Sequence, residues 1–326
     1  MVTRAAVRAV TSGLEFPEGP VALDDGTLLV GEMAAGRITR IAPDGTKSTL
    51  AETGGGPNGL ALGPDGCLYV CNNGGQNWTR ENGQLVALGQ ADAYAGGRIE
   101  KIDLATGQVS VLYDRGPSGP LRGPNDIVFD RDGGFWFTDM GKRRKRDMDY
   151  GGIYYASVDG AQIREIVYPM MQPNGIALSP DESRLYVAET NTARVWSFDL
   201  VGPGEIAPAQ RHARGIEQLL IGLPGYQLLD SMAIDAQGNV CIATMINGGI
   251  TVVSPRGHLV EHIAMPDPFT TNICFGDPDM RTAFVTLSGT GVLAAFEWPR
   301  QGLELNFQNR SLSMATQPRT KEQVRR

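Results

Sequence analysis

One pattern recurs six times along the chain and constrains its fold more than composition does. Each copy has a polar residue after a proline or apolar residue, a short apolar stretch, a turn of the Pro-Asp-Gly type and a second apolar strand. The copies run Phe16–Met33, Gly56–Asn73, Gly123–Met140, Gln172–Thr190, Leu228–Met245 and Phe269–Ser288. A further alternating segment follows each: Arg37–Ile41, Arg98–Ile102, Gly152–Tyr155, Arg194–Phe198, Gly249–Val253 and Val292–Phe296. Alternation with period two between turns signals strands, and no sustained helical period competes with it. Six units in 326 residues leave about 54 residues each, enough for a four-stranded sheet with one longer loop. The expected fold is all-β, a six-bladed β-propeller with four antiparallel strands per blade and only short, protected edges. Residues 1–308 form a single domain in this reading, with Ala5–Ser12 completing the last blade and residues 309–326 forming a flexible tail.

Composition narrows the partners. The 42 glycines serve the many turns such a fold needs. A net charge of −7 argues against a phosphate-backbone binder, and the one sustained basic stretch, Lys142–Arg146, reads as a solvated turn. No run reaches the roughly 18 apolar residues of a membrane helix, and Arg4 and Arg8 have no apolar stretch after them. A soluble cytoplasmic protein with no nucleic-acid or membrane partner is therefore expected. The scattered Cys67, Cys71, Cys241 and Cys274 suit reduced core thiols. Gly54–Gly59 matches G-x-G-x-x-G, but a strand rather than a helix follows it, and no serine occupies a G-x-S-x-G elbow.

Aligning the repeats brings Glu18, Asn58, Asn125, Asn174, Asp230 and Thr271 to one position, just before an otherwise apolar innermost strand. In a propeller these positions converge on one end of the central channel. Buried carboxylates and amides without partners cost several kcal/mol, so the convergence calls for a cation. Glu18 and Asp230 supply two negative charges, and Asn125 and Asn174 add neutral oxygens. His212, His258 and His262 lie outside the set. An all-oxygen site favours Ca²⁺, with Mg²⁺, Mn²⁺ and Zn²⁺ as alternatives. The competing reading is that these side chains cap turns at strand starts. Three segments exceed the repeat. Asn72–Gly97, with Trp78 and Tyr94, is expected to cover the channel mouth; Gly141–Gly151 carries the basic stretch; Gly202–Leu219 reads as a connection between blades four and five.

The segments FPEGP, GPNDIVFDRDGGFWFTD, PNGIALSPDESRLYVAET and LLDSMAIDAQGNV resemble the regucalcin/gluconolactonase family of six-bladed propellers, from about Leu14 to Trp298. The PNDIVFD form is closer to its drug-responsive lactonase and gluconolactonase branch than to its regucalcin branch. The resemblance implies that Glu18, Asn174 and Asp230 are divalent-metal ligands, that Asn125 ligates the metal or contacts substrate, and that Asp230 is the catalytic acid or base. It also implies hydrolysis of a sugar lactone or related small lactone.

The expected reaction is metal-assisted opening of a lactone, the cation polarising the carbonyl and Asp230 or the cation activating the attacking water. Asn58, Asn73, Arg122 and Asp126 are candidate substrate contacts. Two other functions compete. One is a non-catalytic binding module that the ion only staples together. The other is a metal-independent enzyme of the strictosidine-synthase type, which SRLYVAETNTARVWSF resembles.

Overall fold

The computed structural model describes residues 2–210 and 216–308; the tail expected over 309–326 lies outside the described residues. Each repeat folds into one antiparallel sheet, and the six sheets follow one another in chain order. Blade one comprises Pro17–Ala22, Leu28–Glu32, Arg37–Ile41 and Lys47–Glu52. The innermost strands of blades two to six are Pro57–Leu62, Pro124–Phe129, Pro173–Leu178, Leu228–Ile234 and Thr270–Gly276. Blade six closes as the sequence suggested, since Arg8–Thr11 pairs antiparallel with its third strand, Val292–Glu297. No α-helix occurs among the described residues.

The blades are held by cores at their junctions. Val21, Leu29 and Ile38 of blade one meet Leu60, Leu68 and Val70 of blade two. Trp136 and Ile153 of blade three meet Leu185, Val187 and Phe198 of blade four. The ring closes on itself where Phe284, Leu293 and Ala295 of blade six pack on Leu28, Val30 and Ile41 of blade one. These side chains are fully or nearly fully buried, the large aliphatic ones and Phe contributing about 1.5–3 kcal/mol each.

One irregularity repeats in every blade. Pairing of the innermost strand with the next slips between Glu18 and Val21, Pro57 and Leu60, Pro124 and Ile127, Pro173 and Ile176, Leu229 and Met232, and Thr270 and Asn272. A β-bulge breaks the ladder locally and re-aims side chains. It requires close approach between neighbouring inner strands: a Cβ on Gly59 would lie 2.6 Å from both Asn125 O and Asp126 Cα. Only glycine fits there.

Two expectations need correction. Gly202–Leu219 does not connect blades four and five. It is an insertion within blade four, between Arg194–Gly202 and the fourth strand Leu219–Gly222, and it carries the short strand Glu205–Ile206. Blade five has five strands rather than four, because Val2–Arg4 adds in parallel to Leu259–Ala264.

The substitution Gly59→Ala is expected to destabilise the protein by about 1–3 kcal/mol through overpacking. Gly222→Ala, whose added Cβ would meet only Arg194 Cγ at 4.0 Å, is expected to be near neutral. Urea midpoints of the two variants check the contrast.

Candidate functional site

Five of the six bulges turn a polar residue into the channel. Glu18, Asn58, Asn125, Asn174 and Asp230 are all buried and all line one cavity of about 320 Å³ at the channel mouth. The amides are oriented by what their nitrogens do. Asn174 Nδ2 donates to Thr190 Oγ1 at 3.1 Å, and Asn125 Nδ2 donates to Met140 Sδ at 3.5 Å. The Oδ1 atoms of Asn58, Asn125 and Asn174 have no protein partner, an unusual state for buried acceptors. Thr271, at the sixth position, does not line this cavity: its hydroxyl lies 2.9 Å from Thr286 Oγ1 and 2.5 Å from Ser288 Oγ, and it helps hold the Glu18 pKa down.

Burial raises both ring carboxylates. Burial pushes Glu18 up to about 7, against hydrogen bonds from Asn272 Nδ2 and Gly19 N, both at 3.1 Å. Burial raises Asp230 well above the usual carboxylate range, and the charges of Glu18 and Asp126 push in the same direction. No counter-charge offsets them within the ring, so burial favours the protonated form of both carboxyls. Two carboxylates and three unpartnered amide oxygens form the donor set a hard divalent cation takes. Among the described residues no three or more His, Cys, Asp or Glu side chains are grouped to hold a metal; a cation at this ring would draw its remaining ligands from the amides.

A roof covers this ring. Gln76–Glu81 and Gln84–Gln90 form a hairpin within the Asn72–Gly97 segment, and Gln76, Val86, Ala87 and Gln90 line the cavity. On one side Trp78 packs on Phe16, ring centres 4.8 Å apart, and Leu85 N donates to Gly289 O at 2.8 Å. On the other, Gln90 N donates to Arg143 O at 2.9 Å. The basic stretch is solvated at Arg143, Lys145 and Arg146, which are exposed, but not at its first residue. Lys142 is 5% exposed, lines the cavity, and donates from Nζ to Asn73 O and Gly75 O at 2.8 Å each. Burial lowers its pKa to about 8. Sequence reasoning missed Lys142 because one of five consecutive basic-stretch residues carries no local mark of burial.

Of the candidate substrate contacts, Asn58 and Asn73 line the cavity, whereas Arg122 and Asp126 do not. Arg122 faces a separate surface cleft with Asp139 and Asp149. Asp126 follows Asn125 through the same bulge and points beneath the ring, into a cavity of about 60 Å³ that Leu303, Leu305 and Gln308 line from the far side. Its oxygens accept from Ile127 N at 2.9 Å and Ile176 N at 3.4 Å; burial and then the charge of Glu18 push it up to about 7. Both residues are thus withdrawn as direct substrate contacts.

Residues 16–289 match the family model described as the SMP-30/Gluconolactonase/LRE-like region. The chain belongs to this family. Within the SMP-30/gluconolactonase family, the gluconolactonase of Zymomonas mobilis is 29% identical over 312 residues, covering 86% of this chain and 79% of its own. The lactonase drp35 of Staphylococcus haemolyticus is 28% identical over 263 residues, covering 78% and 70% respectively. A solved gluconolactonase of Xanthomonas campestris superposes with a TM-score of 0.69 at 24% identity, over 90% of each chain. At that identity the structural likeness speaks for the fold, the six-bladed propeller.

Because Glu18 binds its proton more tightly folded than unfolded, its protonation stabilises the metal-free fold. That stabilisation is complete below about pH 4.5 and is lost as pH rises through about 7. The urea midpoint of chelator-treated protein is expected to rise between pH 8 and pH 6, and Glu18→Gln is expected to flatten the rise. A wild-type midpoint that falls over that interval contradicts the assignment.

Proposed function

We infer that the chain is a divalent-cation-dependent lactonase working at the channel mouth. The observation that carries this reading is the set of unpartnered Oδ1 atoms on Asn58, Asn125 and Asn174, facing the same cavity as the buried Glu18 and Asp230. The lactonase names of the Zymomonas and Staphylococcus relatives support the reaction class, and a structural neighbour from Agrobacterium tumefaciens (TM-score 0.69, 18% identity) is described as the calcium-binding protein regucalcin.

Glu18, Asp230, Asn125 and Asn174 would hold the ion, with Ca²⁺ favoured by the all-oxygen set. Bound there, it would supply a Lewis acid that polarises the lactone carbonyl and makes water more acidic. The rest falls to the chain. With the ion bound, the Asp230 carboxyl would be ionised where burial alone favours its protonated form, and Asp230 would accept the proton of the attacking water through an oxygen not engaged by the ion. The same proton then serves the alkoxide that leaves when the ring opens. Asn58, with its free Oδ1, and Asn73 orient the substrate. Lys142 ties the roof to the strand end carrying Asn73, and the hairpin above excludes bulk water, which strengthens every charge interaction in the site.

Chelation is expected to abolish lactone hydrolysis and Ca²⁺ to restore it. With metal occupancy confirmed, Asp230→Asn is expected to remain depressed by on the order of 10²-fold or more in kcat, the loss of a general base. Glu18→Gln, which removes one charge without a proton acceptor, is expected to recover further. Equal recovery would reduce Asp230 to a ligand, and full activity without metal would remove the proposal.

A further inference from the structure

The cavity above the ring is two-sided, and that division speaks to the substrate. On the half formed by blades five, six and one, the wall is Phe16, Met33, Leu228, Met245 and Phe269. The roof continues this surface with Val86 and Ala87, and behind it Phe16, Met33 and Leu85 pack together with Trp78 against them. On the half formed by blades two to four, the lining is polar, with Asn73, Lys142, Gln172 and Asn191. Met140 lies on that polar half, but its sulfur is engaged by Asn125 Nδ2 at 3.5 Å.

A sugar lactone bears hydroxyls around its whole ring. With its carbonyl at the amide and carboxylate ring, one edge would press hydroxyls against two phenylalanines, two methionines and a leucine. Those hydroxyls would lose water and gain no partner, which is costly in a closed site. An apolar substituent on that edge meets the opposite balance: its burial is favourable, and it keeps water from the carboxylate side, because Glu18 and Asp230 belong to the same two blades as most of the apolar wall. The polar groups opposite are partly spent already, Lys142 on Asn73 O and Gly75 O and Thr190 Oγ1 on Asn174.

We propose that the preferred substrate is an amphiphilic lactone, its ring oxygens toward the polar half and an alkyl or aryl substituent against Phe16, Met33, Met245 and Phe269. This rests on the lactonase reading and names the substrate class for that same site. Each methylene seated in an apolar pocket changes kcat/KM on the order of tenfold, so selectivity is the readout.

The experiment uses the Ca²⁺-loaded full chain with γ-lactones carrying hydrogen, propyl or hexyl at the γ carbon, and with glucono-δ-lactone. In parallel, calorimetry measures binding of the corresponding 4-hydroxy acid anions. The expected result is a rise in kcat/KM of about tenfold or more from the unsubstituted to the propyl lactone, with glucono-δ-lactone below the propyl compound, and tighter binding of the longer anions. Met245→Gln, close in shape but polar, is expected to lower the propyl-to-unsubstituted ratio about tenfold in both kinetics and binding. Preference for glucono-δ-lactone, or no dependence on chain length, overturns the proposal and leaves the lactonase reading intact. Anions that bind in order of chain length while no lactone is opened support the apolar half and overturn the lactonase reading. Absence of both hydrolysis and chain-length-dependent binding overturns both.

Discussion

Glu18 and Asp230 line one cavity at the channel mouth, both withdrawn from water, and the charge of Glu18 adds to the burial that raises Asp230. Much of the molecule can be understood as the means of forcing that encounter. The interblade cores fix the radius of the ring, and the bulges in five of the six innermost strands turn a polar side chain into one cavity. Asn125 and Asn174 then present bare carbonyl oxygens because their nitrogens are held by Met140 and Thr190. Burying two carboxylates and three unpartnered amide oxygens costs free energy that the proposed cation would offset.

The bulges also divide the channel into an upper and a lower compartment. Asn125 opens upward to the cavity, while its neighbour Asp126 points down toward Asn272 and the Leu303–Gln308 segment. That segment is anchored across the far face, with Leu303 N donating to Ile234 O at 2.9 Å and Gln308 Nε2 donating to Phe275 O at 3.0 Å. The upper compartment is shielded differently, by a hairpin that bridges blade two to Gly289 and is pinned through Lys142 and Arg143. Access to the carboxylates therefore runs beneath the hairpin, past a wall that is apolar on one half.

The sequence made the architecture and the upper ring legible because the repeat aligns Glu18, Asn58, Asn125, Asn174 and Asp230 independently of any contact. It misled at Asp126 and Arg122. Adjacency to Asn125 suggests a shared site, but alternation places neighbouring side chains on opposite faces, and the bulge keeps Asp126 below the ring. Lys142 was hidden for another reason: its burial depends on carbonyls of residues 73 and 75, about seventy positions earlier, which no local pattern reports. Gly202–Leu219 was misplaced because the fourth strand of blade four, Leu219–Gly222, is short and follows its insertion rather than preceding it.

The central claim is that the bulge ring holds one divalent cation in exchange for protons. Calorimetric titration of the metal-free protein with Ca²⁺ at pH 7, in two buffers of different ionisation enthalpy, measures both the stoichiometry and the protons released. With Glu18 raised to about 7 and Asp230 raised well above the usual carboxylate range, the account predicts a single site and release of protons as the ion binds. Absence of binding, or binding with no dependence of the heat on buffer, would contradict it.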